Sequence, residues 1–277
     1  MTRLAARLLA DGRRLHLNDG PIDLVIEAWG SPASVRAAYR AAAARAGTIL
    51  DELCAELPLL RAPATLDGAR ARGVTARRMQ AAVMPHGASA FITPMAAVAG
   101  AVAEEVLGAM LEATELARAY VNNGGDIALH LAPGERLRLG LVDRPDRPSL
   151  FARAVIEAGE TVRGVATSGW RGRSHSLGIA DAVTMLADTA SAADAAATMV
   201  ANAVDLPGHP AIVRVPAHDI DPDSDLGDRL VTRDVGTLTG EEVETALSRG
   251  AGVAGALVAA GLARAAALHL RDRTMVI

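Results

Sequence analysis

Two periodicities alternate along this chain and divide it into elements. Arg14 to His16 and Ile22 to Ala28 alternate apolar with polar residues on either side of Asn18-Asp19-Gly20-Pro21, which predicts an opening β-hairpin. Ser31 then supplies an N-cap and Pro32 the first helical position of a helix running to about Leu57, where Pro58 ends the pattern. A polar, glycine-containing passage from Leu60 to Thr75 follows. Thr93 and Pro94 open a second long helix through Met95 to Leu111, apolar on nearly every side and therefore buried, with Gly100 placed for close packing. Between Arg118 and Val142 the period shortens to two. Ala119 to Val121, Ile127 to Leu131 and Leu137 to Leu141 read as strands, and Asn122-Asn123-Gly124-Gly125 is the strongest turn signal of the chain. Phe151 to Ile156, Thr161 to Ala166, Ala182 to Leu186, Ala211 to Val215 and Ala266 to Leu270 add further strands, and Glu241 to Leu262 a glycine-interrupted helix. Strands and long helices in mixed order predict an α+β protein with mixed sheets packed against alanine-rich helices. No sequence repeat is visible, and the 277 residues suit one large domain or two lobes.

Composition narrows the chemistry. Hydrophobic residues make up 51% but aromatic ones only 2%, so the core is built from Ala, Val, Leu and Ile. All 28 basic residues are arginine, which excludes lysine Schiff bases, a P-loop lysine and lysine nucleophiles. A net charge of −4 and the scarcity of stacking aromatics argue against nucleic acid as a partner. The single cysteine, Cys54, rules out an intrachain disulfide and reads as a small packing residue in a helix. Met1 to Leu17 lacks the apolar core of a secretory signal, and runs such as Gly250 to Leu262 are too short for a membrane span, so no membrane partner and a cytoplasmic location are expected.

Three clusters carry candidate chemistry. Asp194 and Thr198, within Ala193-Asp194-Ala195-Ala196-Ala197-Thr198, lie one turn apart on one helix face and offer a hard cation part of an oxygen cage. The competing reading makes Asp194 an early-turn carboxylate behind a Ser191 N-cap. Asn123-Gly124-Gly125-Asp126 and Thr167-Ser168-Gly169 combine tight turns with exposed amides and hydroxyls suited to phosphate or flavin, though a hairpin turn alone explains the first equally well. Arg171 and Arg173 suit a phosphate or carboxylate ligand or a solvated surface. His86, in a loop, reads as a surface or capping residue, and the five aspartates between His218 and Asp228 as a polar loop lacking EF-hand spacing.

The order Asn-x-Gly-Gly-Asp, Gly-Leu-x-Asp-Arg-Pro (Gly140 to Pro145), Val-Ala-Thr-Ser-Gly (Val165 to Gly169) and Ala-Asp-Ala-x-Ala-Thr resembles the ApbE superfamily over about Thr93 to Ala203. The phrase from Thr93 to Ala103 is similar to a separate, largely uncharacterised branch of it. The resemblance implies an ApbE-like fold and a Mg²⁺-dependent enzyme that splits the pyrophosphate of FAD and passes FMN to a threonine of an acceptor protein. It places Asp194 and Thr198 on metal-ligand positions. Asn123, Gly124, Gly125, Asp126, Thr167, Ser168 and Gly169 fall on flavin-nucleotide contacts. The chain departs from the transferases in two places. Only Trp170 to Ala180 follows the Thr-Ser-Gly turn, without the transferases' His-x-x-Asp-Pro-x-Thr-Gly sequence, for which His175 or Asp181 is a partial substitute. Ala99 also stands where those enzymes carry lysine before glycine. These losses open an alternative, a non-catalytic or repurposed accessory protein that binds another anionic metabolite, in sulfur assimilation for some relatives. A homodimer is the default assembly.

Overall fold

The computed structural model describes residues 3–65, 67–142 and 150–277. The chain begins with β1 (Ala5–Leu8), β2 (Leu15–Asp19) and β3 (Ile22–Trp29). The helices α1 (Pro32–Ala55), α2 (Leu57–Leu60) and α3 (Val74–Val83) follow, then a 3₁₀ turn over Pro94–Ala97 that runs into α4 (Val98–Ala113). Four strands come next: β4 (Arg118–Asn123), β5 (Asp126–Leu131), β6 (Arg136–Val142) and β7 (Leu150–Glu157). After β8 (Gly164–Ser168), β9 (Ala182–Ala187) and α5 (Ala190–Ala203) come β10 (Ile212–Pro216), α6 (Ala217–Ile220) and β11 (Leu230–Val235). The last elements are α7 (Gly240–Ala259), β12 (Ala265–Leu270) and β13 (Arg273–Val276). The predicted helices and strands are all present, and Ser31 caps α1 as expected by accepting from the Ser34 amide.

Nine strands form one sheet in the order β1-β2-β3-β4-β5-β8-β9-β12-β13, and each neighbouring pair is antiparallel. The expected mixed sheets are therefore corrected to antiparallel ones. Here hairpins return the chain locally, while paired helices bring it back beside the strand it left, so no parallel crossover arises. The ribbons β6-β7 and β10-β11 stand apart from this sheet.

The element order repeats although the sequence shows no repeat. Hairpin β2-β3, helices α1 and α4, and hairpin β4-β5 make one half; hairpin β8-β9, helices α5 and α7, and hairpin β12-β13 make the other. Each half has its own core, Leu24, Ile26, Ile49 and Met110 in the first and Val183, Met185, Leu247 and Leu268 in the second. Pro94–Ala113 has the length and apolarity of a membrane-crossing helix, contrary to the expectation that no run reaches that length. Its residues Ala101, Val102, Val106 and Met110 pack within the first core instead.

The halves meet at a narrow seam, where β5 pairs β8 only through Ile127 with Val165 and Ala128 with Gly164. Two glycines make that seam. A Cβ added to Gly164 would lie 2.1 Å from the Thr189 backbone, and one added to Gly100 would lie 2.3 Å from the Ala190 carbonyl oxygen. The first turn of α5 is thereby wedged between β8 and the start of α4. Gly100→Ala is expected to destabilise the protein by roughly 3 kcal/mol, because the clash is with backbone that has no rotamer to change. The gain in helix propensity, about 1 kcal/mol, is outweighed. A thermal midpoint roughly 6–12 °C lower is the expected readout; an unchanged midpoint would mean that the helices do not approach this closely.

Candidate functional site

Side-chain alternation along the central strands decides which predicted residues share a face. Val121 of β4 and Ala128 of β5 belong to the core beneath the helices, so Asn123 and Asp126, each two residues away, point to the helix side. On β8, Ala166 faces the helices, whereas Val165 joins Leu129, Leu131 and Ile156 on the opposite face. Ser168 therefore turns toward the helices and Thr167 away from them. The Thr167 hydroxyl bonds Thr184 Oγ1 at 2.8 Å, so the hydroxyl expected to hold a ligand is used across two strands. What Thr167 gives the helix side is its amide, which donates to Asp126 Oδ1 at 3.1 Å.

The Asn122–Asp126 turn has the predicted form. Gly124 (φ 68°) and Gly125 (φ 119°) occupy conformations that favour glycine, and the Gly125 amide donates to Asn122 Oδ1 at 2.8 Å. Asn123 is 7% exposed, and its Nδ2 donates to the Ala99 carbonyl at 3.2 Å, fixing the turn against the start of α4. Gly169 is a packing glycine, since a Cβ there would lie 2.5 Å from the Asp181 carbonyl oxygen.

Asp194 reaches the same place from α5. Its Oδ2 accepts from the Gly100 amide at 3.0 Å, so its carboxyl group sits on a first-turn amide of α4. The expected Ser191 N-cap is corrected to Thr189, whose hydroxyl accepts from the Ala192 amide. Ser191 is held by Glu104 of α4, which accepts from its amide at 2.6 Å and its hydroxyl at 2.8 Å. Glu104 is also paired with Arg78 of α3 at 3.3 Å. The α5 stripe continues through Thr198, partly buried and making no side-chain hydrogen bond among the described residues, to Asn202. Asn202 Oδ1 accepts from the Leu177 amide at 2.9 Å and anchors the loop after β8.

Two carboxyl groups thus converge at the seam from β5 and α5. Burial pushes the Asp126 carboxyl up to about 7 against the lowering effect of the Thr167 amide. Asp194 is held well above the usual carboxylate range, first by burial and then by the charge of Asp126, with Glu104 adding to it. Both residues keep part of their surface. Two desolvated carboxylates that repel one another favour either a shared proton or a cation. Among the described residues no group of three or more His, Cys, Asp or Glu is placed to hold a metal. A cation here would rest on this pair, the Thr198 hydroxyl and oxygens brought by a ligand. A surface cleft of 520 Å³ lined by Glu241, Thr245 and Arg249 and another of 440 Å³ lined by Gly134, Arg136 and Glu157 lie away from it.

Around the seam the loop residues divide into structural and free. Asp181 accepts from Arg171 Nε at 2.7 Å, from Trp170 Nε1 at 3.2 Å and from the Arg271 amide at 2.6 Å. With both oxygens engaged, it does not stand in for the missing transferase segment. Arg171 stacks on Trp170 at 4.2 Å and is a structural residue. Arg173 is exposed, and its Nη2 donates to the Pro21 carbonyl at 3.0 Å. His86 is buried, 3% exposed, with burial lowering its pKa, which corrects the surface reading. Cys54 is exposed on α1 and not a packing residue. Asp225 of the acidic loop accepts from the Thr93 hydroxyl. Leu66 and residues 143–149, which include the Asp-Arg-Pro of the Gly140 to Pro145 motif, lie outside the described residues.

Glu104 is the residue that motif reading misses. Its signal was present, since Glu104 and Glu105 are the only charges in the apolar run from Met95 to Leu111.

The fold and site together define an antiparallel α+β protein with a carboxylate pair at the seam of two repeated halves. The chain belongs to the ApbE-related family described as AbpE bacteria, which matches residues 6–276. It is 42% identical over 139 residues to a UPF0280 protein of Methanopyrus kandleri, covering 50% of this chain and 51% of that one. A UPF0280 protein of Methanococcoides burtonii is 37% identical over 132 residues, 44% of this chain and 50% of that one. The chain thus spans about half the length of the curated relatives it matches.

Proposed function

We propose that this protein binds a flavin dinucleotide or a related pyrophosphate ligand together with Mg²⁺ at the seam, as an ApbE-like metal-dependent protein. The observation that carries this reading is the Asp126–Asp194 pair, whose ionised form is disfavoured until a cation shares it. The donor set suits Mg²⁺, which takes one or two carboxylates and completes its shell with water and phosphate oxygens. Asp126, Asp194 and Thr198 would hold the ion, and Asn123, Gly124, Gly125 and Ser168 would meet the ligand. Bound there, Mg²⁺ supplies neutralisation of charge developing on phosphate oxygens. The protein's own part is to fix the two carboxyl groups by backbone amides. The Gly100 and Thr167 N–H groups each engage one oxygen of a carboxyl, Asp194 Oδ2 and Asp126 Oδ1, and the remaining acceptor capacity would serve the cation.

A second reading, binding without transfer, is favoured by the short loop after β8. Its acidic residue Asp181 is fully engaged in structure, leaving the loop's ligand contacts to arginine and histidine.

Titration of metal-free protein with FAD, with and without Mg²⁺, tests both readings, with the mixture assayed for AMP and FMN. Mg²⁺-dependent binding with product formation is the result expected for the enzyme. Binding without product selects the second reading. Absence of FAD binding in both conditions would overturn the flavin assignment and leave the family membership untouched.

A further inference from the structure

We infer that Arg173 is the residue that grips the pyrophosphate of the ligand at this seam. The inference rests on the metal-site reading above and adds to it the residue that meets the pyrophosphate. Three hairpin or loop turns meet at this end of the sheet: Asp19–Ile22, Asn122–Asp126 and the segment after β8. Arg173 ties them together. Its Nη2 donates to the Pro21 carbonyl in the first turn, and its Nη1 lies 3.6 Å from where a Cβ on Gly124 would stand in the second. Gly124 is exposed and carries no side chain, so ligand atoms have access to the turn's backbone beside that guanidinium nitrogen.

The two arginines of the loop, equivalent in sequence, have different employment. Arg171 is consumed by Asp181 and by stacking on Trp170. Arg173 has no carboxylate partner among the described residues, and its one hydrogen bond, to a carbonyl, fixes the guanidinium while leaving most of its donors unused. No hydrogen bond or ion pair joins it to Asp126 or Asp194 among the described residues. A preset guanidinium on one side of a turn and a dicarboxylate at its exit form the two halves of a phosphate clamp. A cation on the carboxylates binds one set of phosphate oxygens, and the planar fork binds another. A pyrophosphate supplies oxygens for both; a single carboxylate does not.

Calorimetry with inorganic pyrophosphate and Mg²⁺ on the full chain tests this, using Arg173→Ala and Arg173→Lys. Because Arg173 is exposed, both variants are expected to fold with an unchanged thermal midpoint. Arg173→Ala should weaken pyrophosphate binding about tenfold or more, the loss of a charge-assisted hydrogen bond, with Mg²⁺ binding in the absence of anion unchanged. Arg173→Lys should recover part of the affinity. Acetate, offered as a single-carboxylate control, should bind weakly and equally to all three proteins. Pyrophosphate binding that is equal in wild type and Arg173→Ala would overturn the role of Arg173 while leaving the metal site standing. A parallel loss of Mg²⁺ binding in Arg173→Ala would make the residue structural and overturn it as well. If the wild type binds neither Mg²⁺ nor pyrophosphate, the metal-site reading fails and this inference falls with it.

Discussion

Asp194→Asn is expected to raise the thermal stability of the metal-free protein at pH 8 while abolishing stabilisation by Mg²⁺. Asp126 is pushed up to about 7 from an ordinary carboxylate value of 3.8, and Asp194 is also held well above that ordinary value, first by burial and then by the charge of Asp126. A carboxyl raised in the folded state contributes stability that is fully present below the unfolded-state value and is lost as pH rises through the folded one. For Asp126 the window runs from about pH 4 to 7, and the loss amounts to about 4 kcal/mol when complete. Asparagine at 194 keeps an oxygen for the Gly100 amide and removes one of the two charges. At about pH 4 and below the variant and wild type should melt alike. By pH 8 the variant should melt several degrees higher, about 4 °C for each 1–2 kcal/mol relieved. Mg²⁺ should reverse the order by stabilising only the wild type. Differential scanning fluorimetry across that pH range, with and without Mg²⁺, reads both effects. A variant destabilised equally at pH 4 and pH 8, and still stabilised by Mg²⁺, would remove Asp194 from any metal site.

Glu104→Ala is expected to be the most damaging single change outside the apolar cores. Glu104 satisfies the Ser191 amide at 2.6 Å and hydroxyl at 2.8 Å, and it balances Arg78 at 3.3 Å. Its side chain is only 13% exposed. Removing it leaves a nearly buried amide unpaired at the start of α5 and an arginine short of a partner, which costs about 3–5 kcal/mol. Part of the Arg78 charge remains matched by Glu105, at 3.2 Å, which keeps the loss toward the lower end. The positional consequence matters more. Ser191 lies three residues before Asp194 and Glu104 four after Gly100, so this bond sets the register at which α5 carries Asp194 to the α4 amides. Glu104→Gln, able to accept from Ser191 without the charge, should restore most of the stability. Chemical denaturation of the two variants separates the cases. Equal losses in Ala and Gln would assign the effect to charge, and no loss in either would mean that α5 is held by packing alone.

The pattern of apolar and polar residues determined the element list of this protein because each signal is local. A two-residue alternation marks a strand, Ser31-Pro32 marks a helix start, and Asn122-Asn123-Gly124-Gly125 marks a turn whose φ values suit glycine. Family membership was legible for the same reason, since short motifs in a fixed order survive without any knowledge of how they pack. The direction of strand pairing, the repeat of the two halves and the partner of each polar side chain were not legible, because they depend on which distant segments become neighbours. Thr167 shows the limit most clearly. Nothing in Val-Ala-Thr-Ser-Gly tells that β9 will place Thr184 beside the hydroxyl and turn it to the opposite face, while the amide alone serves Asp126. Arg171 and Arg173 look interchangeable until Asp181 takes one and Pro21 orients the other. Asp126 and Asp194, 68 positions apart in the chain, become a pair only because Gly100 and Gly164 let two helices and a strand close on one another. The sequence supplied the groups and their local conformation; the tertiary structure decided their protonation and their partners, because desolvation and charge repulsion act through space and not along the chain.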